Sequence, residues 1–293
     1  MDFCDTNSLV APRRRPLRMK SDLLVTDGPF AETKELLASC PPSSHQLRSS
    51  GRRAQVNGLD MYFEMHGRGR PIILLHGGLA TIESAFGIVQ QALACSRKVI
   101  AAEQQAHGRT PDIERNLSYM HMADDTAELL RQLDLGPVDV FGFSMGGATA
   151  LQLALRHPGL VRKLALVSSP YSPNGYHERA AEAMLSTPAE HESLDAQRDS
   201  FARVSARPEH FARTVTRTKQ AISGDSGLRA RDLRAIRADT LLVTGDRGLV
   251  RMDHTEDMQR QLPNARLKVF DCDDHDPNIV RRAAALVPKF FDS

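Results

Sequence analysis

The sequence predicts an α/β protein, a doubly wound and mostly parallel sheet with an inserted helical cap. Short apolar runs alternate with helix-patterned segments from residue 54 onward, and that alternation implies right-handed crossovers into a parallel sheet. The run Ile72-Ile73-Leu74-Leu75 is continuously apolar, as a strand covered on both faces requires. Strand-like sequence lapses between Ser168 and about Ile236 and resumes behind it, so the interval reads as an insertion over the carboxyl edge of the sheet.

Residues 1–53 carry Pro12, Pro16, Pro41 and Pro42 among many arginines and serines, without sustained periodicity. That composition predicts a flexible N-terminal extension. Within it, Asp22-Leu23-Leu24-Val25-Thr26-Asp27-Gly28-Pro29-Phe30 and the residues up to Glu35 resemble the signature of the small DGPF (YCII-related) proteins. The match covers only residues 22–35, and no function is carried over from it.

Ala54-Gln55-Val56 and Leu59–His66 flank Asn57-Gly58, a two-residue hairpin signal, so the first two strands are expected to be antiparallel. Ile72–Leu75 ends in His76-Gly77-Gly78. A helix follows through Phe86, Val89 and Leu93, then a strand at Lys98–Ala102, the loop Gln105–Thr110, a helix from Met122 to Leu133, and a strand at Val138–Phe141. Behind Ser144 come a helix to His157 and strands at Leu164–Val167, Leu241–Thr244 and Arg266–Phe270. The expected core is therefore residues 54–170 and 237–293. The expected cap is residues 171–236, with Tyr176, Phe201, Phe211, Val215 and Ile222 among helix-forming charged sequence.

With 293 residues the chain can bury a sizeable core, which the absence of tryptophan makes mainly aliphatic. The formal net charge of +2 gives no electrostatic case for nucleic acid or an anionic membrane, and a small-molecule partner fits better. Cys4, Cys40, Cys95 and Cys272 have neither metal-ligand nor redox-pair spacing, so neither metal nor cofactor is expected and the thiols read as reduced, in a cytoplasmic protein. No apolar run approaches a membrane span, and Arg13-Arg14-Arg15 is not followed by the apolar stretch of a secretory signal.

The chemistry centres on Gly142-Phe143-Ser144-Met145-Gly146-Gly147, between an apolar strand and a helix. A serine in such a turn is thrust out at the carboxyl end of a sheet. The turn is strained, and side chains at Gly142 and Gly146 would collide with the neighbouring strand or helix. Ser144 is therefore the candidate nucleophile. Serine is weak at its own pKa and needs an adjacent base to take its proton as it attacks a carbonyl.

Together with Leu74-Leu75-His76-Gly77-Gly78, His107-Gly108-Arg109-Thr110, Val243-Thr244-Gly245-Asp246 and the late His275, this turn makes residues from about 54 to 293 resemble the α/β-hydrolase family. The resemblance implies an order of Ser, then Asp or Glu, then His along the chain, with His275 as general base. It also implies an oxyanion hole built from the amide of Met145 and that of Gly78 or Leu79. His76 and His107 read as scaffold.

The acid departs from the pattern. In the family it commonly lies three residues after the glycine ending the penultimate strand, and that position is Gly248. Asp246 is the nearest carboxylate and the expected acid, with Asp253 as second candidate; the alternative location after Val167 offers only Ser168, Ser169 and Pro170. Glu103 and Ala106 also stand where many relatives carry Asp and Gly. The expected function is a cofactor-independent serine hydrolase acting on a small ester, thioester or related acyl substrate. Two alternatives are a carbon–carbon bond hydrolase of the same fold and a ligand-binding member with an impaired triad. Ser144 excludes the haloalkane dehalogenases and epoxide hydrolases, which use Asp at this turn.

Overall fold

The structure, a computed structural model, describes residues 51–293. Strand β1 (Arg52–Val56) turns through Asn57 and Gly58, both at positive φ, into β2 (Leu59–His66), and the two pair antiparallel as the hairpin signal requires. The chain continues through β3 (Arg70–Leu75), α1 (Ile82–Ala94), β4 (Arg97–Ala102), α2 (Tyr119–Leu133), β5 (Val138–Phe143), α3 (Met145–Arg156) and β6 (Val161–Val167). Helices α4 (Glu178–Ser186), α5 (Asp195–Val204), α6 (Phe211–Ser223) and α7 (Ala230–Leu233) separate β6 from β7 (Asp239–Arg247). Helix α8 (Met252–Gln261), β8 (Ala265–Asp273) and α9 (Ile279–Asp292) complete the described chain.

The eight strands form one sheet in the order β1-β2-β4-β3-β5-β6-β7-β8. The pairings of β2 with β1 and β4 are antiparallel, and every pairing from β4 to β8 is parallel. This is the doubly wound α/β architecture that the sequence predicts.

The continuous apolar run in β3 has a direct structural reason. Ile72 and Leu74 face one layer, with Ile82, Phe86 and Leu93 of α1 and Ile279, Ala283, Val287 and Phe291 of α9. Ile73 and Leu75 face the other, with Ala123, Ala127 and Leu130 of α2 and Ala150, Leu151 and Leu153 of α3. All four β3 residues are fully buried, so no position of the strand can be polar without an internal partner.

Side chains cap the amino ends of two of the helices packed on the sheet. Thr81 closes the amino end of α1 with a capping box, its hydroxyl accepting from the Ser84 amide at 3.2 Å while Ser84 Oγ accepts from the Thr81 amide at 2.9 Å. Ser118 caps α2 by accepting from the His121 amide at 3.2 Å. Ser144, at the same position of α3, makes no side-chain cap, and the Gly147 amide instead donates to the Ser144 carbonyl at 2.9 Å.

The α6 helix buries Phe211, Thr214, Val215, Thr218 and Ile222, a stripe at helical spacing that lies on the core. Asp112 ties it down, accepting from Arg213 Nε at 2.5 Å and Arg217 Nε at 3.0 Å, and Thr214 Oγ1 donates to the Ala106 carbonyl at 2.7 Å.

Cys272 is a free, buried thiol, and Cys4 and Cys40 lie outside the described residues. No helix among the described residues is long and apolar enough to cross a membrane, and no group of three or more His, Cys, Asp or Glu among them could hold a metal ion. The N-terminal extension and its DGPF-like stretch at residues 22–35 lie outside the described residues.

Candidate active site

The last residues of β5 deliver Ser144 at the carboxyl edge of the sheet with φ 51° and ψ −115°, a strained conformation for a residue with a side chain. The turn is tight enough to exclude side chains around it. A Cβ on Gly142 would lie 2.6 Å from the Gly146 carbonyl oxygen, and one on Gly146 would collide with the Leu75 carbonyl and lie 2.7 Å from that of His76. Backbone cannot give way as a flexible side chain can, so both positions need glycine.

His275 follows β8, and its Nε2 lies 3.1 Å from Ser144 Oγ. Its Nδ1 lies 2.7 Å from Oδ1 of Asp274, the residue immediately before it. A carboxylate only accepts, so Nδ1 carries the proton and the Nε2 lone pair faces the serine hydroxyl. That is the tautomer a general base needs. Phe143 packs beside the imidazole, with ring centroids 5.4 Å apart.

Neither acid named from the sequence touches His275. Asp246, expected as the acid, is turned to the end of the sheet, where its carboxylate accepts from the Cys272 amide at 3.1 Å and pairs with Arg247 at 3.2 Å, with 42% of the side chain exposed. Asp253 sits in the first turn of α8 and is paired with Arg251. The residue that does touch the imidazole is Asp274, which the sequence pattern does not single out. Its side chain is fully buried, and Oδ1 also accepts from the Leu249 amide at 2.9 Å while Oδ2 accepts from the Val250 amide at 2.6 Å. Its signal in the sequence was the acidic run Asp273-Asp274-His275-Asp276, in which nothing distinguishes a buried carboxylate from surface acids.

The turn expected to supply an oxyanion donor follows β3. Leu79 has φ +60°, and its amide donates to His107 Nε2 at 3.1 Å. The Leu79 donor is therefore already committed, and Gly78 is the amide that the turn leaves to pair with Met145. A Cβ on Gly78 would lie 2.7 Å from Thr218 Cγ2 and 3.8 Å from Ile222 Cδ1, so α6 lies directly over this turn.

His76 and His107 hold the scaffold behind it. His76 Nδ1 donates to the Gly77 carbonyl at 2.8 Å and its Nε2 accepts from the Gln104 amide at 3.0 Å. His107 Nδ1 donates to the Gln105 carbonyl at 2.9 Å. Both rings are fully buried, and burial pushes them down, His76 to about 3 and His107 to about 4. They stay neutral and serve as fixed hydrogen-bond connectors. Glu103 lies beneath the loop, accepting from the amides of Ile82 at 3.3 Å and Arg109 at 2.5 Å; burial pushes its carboxyl up to about 7 against the pull of Arg109.

A cavity of about 440 Å³ between the Ala106–Asp112 loop and the inserted helices, lined by Arg109, Phe201, Arg207 and Arg213 among others, includes neither Ser144 nor His275. Position relative to the nucleophile, not cavity volume, therefore identifies the candidate site.

Comparison with known proteins agrees with the fold. A family model described as the α/β-hydrolase fold matches residues 70–206. A protein of Rhizobium rhizogenes named "Putative carbamate hydrolase RutD" is 34% identical over 113 residues, which are 37% of this chain and 43% of that protein. The 2-hydroxy-6-oxo-6-(2'-aminophenyl)hexa-2,4-dienoic acid hydrolase of Metapseudomonas resinovorans is 34% identical over 127 residues, 40% of this chain and 42% of that protein. The matched part thus spans less than half the length of either relative. Among solved structures, the meta-cleavage product hydrolase of Pseudomonas fluorescens IP01 aligns with a TM-score of 0.68 at 20% identity, over 83% of this chain and 97% of that one. The fold defines a class of α/β hydrolases, and Ser144 stands at the carboxyl edge of its sheet. The chain has the α/β-hydrolase fold.

Proposed function

We propose that this chain is a serine hydrolase that cleaves a small ester, thioester or related acyl substrate through an acyl-enzyme on Ser144. The observation that carries the reading is the 3.1 Å approach of His275 Nε2 to Ser144 Oγ, with Ser144 held at φ 51° in the elbow. As Oγ attacks the substrate carbonyl carbon, its proton passes to His275 Nε2. The amides of Met145 and Gly78 receive the negative charge that develops on the carbonyl oxygen. The tetrahedral species collapses, the bond to the leaving group breaks, and the imidazolium returns its proton to that group. Water then repeats the sequence: His275 takes its proton, hydroxide attacks the acyl carbon, and Oγ leaves with the proton back on it. No step calls for a metal or cofactor.

The carbamate hydrolase of Rhizobium rhizogenes supports an acyl substrate of this kind. A second reading, cleavage of a carbon–carbon bond in a ketone, is favoured by the relative from Metapseudomonas resinovorans, whose named substrate holds a ketone and no ester or amide linkage. A panel of short-chain nitrophenyl esters, thioesters, carbamates and 6-oxo dienoic acids separates the readings. The first expects ester or carbamate turnover that Ser144→Ala removes. Turnover of the dienoic acids alone would favour the second, and turnover that survives Ser144→Ala would sink both.

A further inference from the structure

Gly248 and Asp274 share one space. In the parallel pair of β7 and β8, Arg247 lies opposite Asp273 after a register irregularity, and the Asp274 amide extends the pairing by donating to the Arg247 carbonyl at 2.7 Å. The loop leaving β7 is thereby laid against the residue that follows β8. At Gly248 the backbone has φ +128°, and a Cβ there would collide with Oδ1 of Asp274 and lie 2.5 Å from its Cγ. Only a residue without a side chain meets both conditions.

The space is filled by a carboxylate with an organised set of donors. Oδ1 accepts from His275 Nδ1 at 2.7 Å and from the Leu249 amide at 2.9 Å, and Oδ2 accepts from the Val250 amide at 2.6 Å. Three N–H donors converge on one fully buried side chain. Charge-assisted bonds of this kind offset the cost of burying the anion and fix its orientation. The two amides come from the residues directly after Gly248, so the loop that lacks a carboxylate supplies the hydrogen bonds that hold one.

Resting on the serine-hydrolase reading of Ser144 and His275, we propose that Asp274 is the third member of the triad and that Gly248 is the vacancy that admits it. Asp274 is a positioning residue: it holds the His275 tautomer and stabilises the imidazolium, without touching substrate. A side chain at position 248 and a carboxylate at position 274 exclude each other. Acid and base then ride on one loop, adjacent in the chain, so movement of the β7 loop does not separate them. The absence of a carboxylate at Gly248 no longer argues for a non-catalytic, ligand-binding member.

The test compares Asp274→Asn, Asp246→Asn and Gly248→Ala in the full chain, with ester turnover, thermal melting and the downfield proton resonance of the carboxylate-bonded imidazole Nδ1–H as readouts. In Asp274→Asn, kcat is expected to fall by about 10³ to 10⁴, by analogy with loss of the triad acid in a serine protease, with KM changed less than about threefold and the downfield resonance lost. Gly248→Ala keeps every triad side chain yet displaces the carboxylate, so kcat falls at least about tenfold and the resonance weakens or moves. Asp246→Asn keeps the resonance and loses no more than about threefold in kcat. The inference is overturned if Asp274→Asn keeps kcat within about threefold, if the resonance survives in it, or if Asp246→Asn loses the resonance. Should Asp274→Asn fail to fold, unchanged kcat and resonance in Gly248→Ala overturn it instead. Ser144→Ala serves as the control that separates the two readings: if it is inactive while Asp274→Asn is not, only the acid assignment fails, and if it stays active, both fail.

Discussion

The amide of Leu79 donates to Nε2 of His107 across 3.1 Å, tying the turn after β3 to a buried imidazole 28 residues further along the chain. Thr218 of the overlying α6 helix lies 3.2 Å from the same nitrogen. One neutral ring thus sets the turn and receives the helix above it. His107→Ala is expected to free the Leu79 amide and loosen Gly78 beside it. Removing a single oxyanion donor costs on the order of a hundredfold, and disturbing one indirectly should cost about tenfold in kcat, with a smaller change in KM. Steady-state kinetics on an ester substrate measure this, and a kcat within about twofold of the parent would show that the turn holds itself.

Gly146 faces the carbonyl of Leu75, with no room for a Cβ between them. Gly146→Ala should therefore force the elbow away from β3. Overpacking costs about 1–3 kcal/mol where neighbours can shift, and here the neighbour is backbone, so a loss of about 3 kcal/mol is expected together with loss of activity. Urea unfolding with an unchanged m-value is the measurement. A midpoint equal to the parent's would mean that the elbow tolerates a methyl group.

Much of this arrangement was legible in the sequence. The elbow glycines, Ser144 and the buried strand Ile72–Leu75 are local patterns whose physical causes act within a few residues, and they read directly. The acid was not legible because its partnership depends on where two loops meet. Asp274 touches its chain neighbour only because Gly248, 26 residues earlier, leaves the space and the amides of Leu249 and Val250 hold the carboxylate. The carboxylate nearest Gly248 in the chain is Asp246, whose exposed side chain closes the edge of the sheet instead. The choice between Gly248's neighbours and the acid preceding the histidine is a tertiary one.

Stability should fall with acid in a window set by buried imidazoles. Burial pushes His76 down to about 3 and His107 and His254 to about 4. Above pH 6.5 all three are neutral whether the chain is folded or not, and they contribute no pH dependence. Below it the unfolded chain takes up protons that the folded one refuses, costing on the order of 1.4 kcal/mol per pH unit for each ring until the folded pKa is reached. Glu103 opposes them: its carboxyl, pushed up to about 7, contributes stability in full below 4.5 and loses it as pH rises through 7. Three rings against one carboxyl leave a net loss between pH 6.5 and 4.5, about 2.7 kcal/mol per unit at its steepest. Urea unfolding at pH 6.5 and 5 checks the sign; equal or greater stability at pH 5 would show that these rings are protonated in the folded chain.

The most direct test of the central claim is labelling with a fluorophosphonate, which requires an activated serine, followed by mass mapping of the modified residue. The parent protein is expected to carry one adduct on Ser144, absent from Ser144→Ala and reduced by orders of magnitude in His275→Ala. An adduct on any other residue, or undiminished labelling in Ser144→Ala, would contradict it.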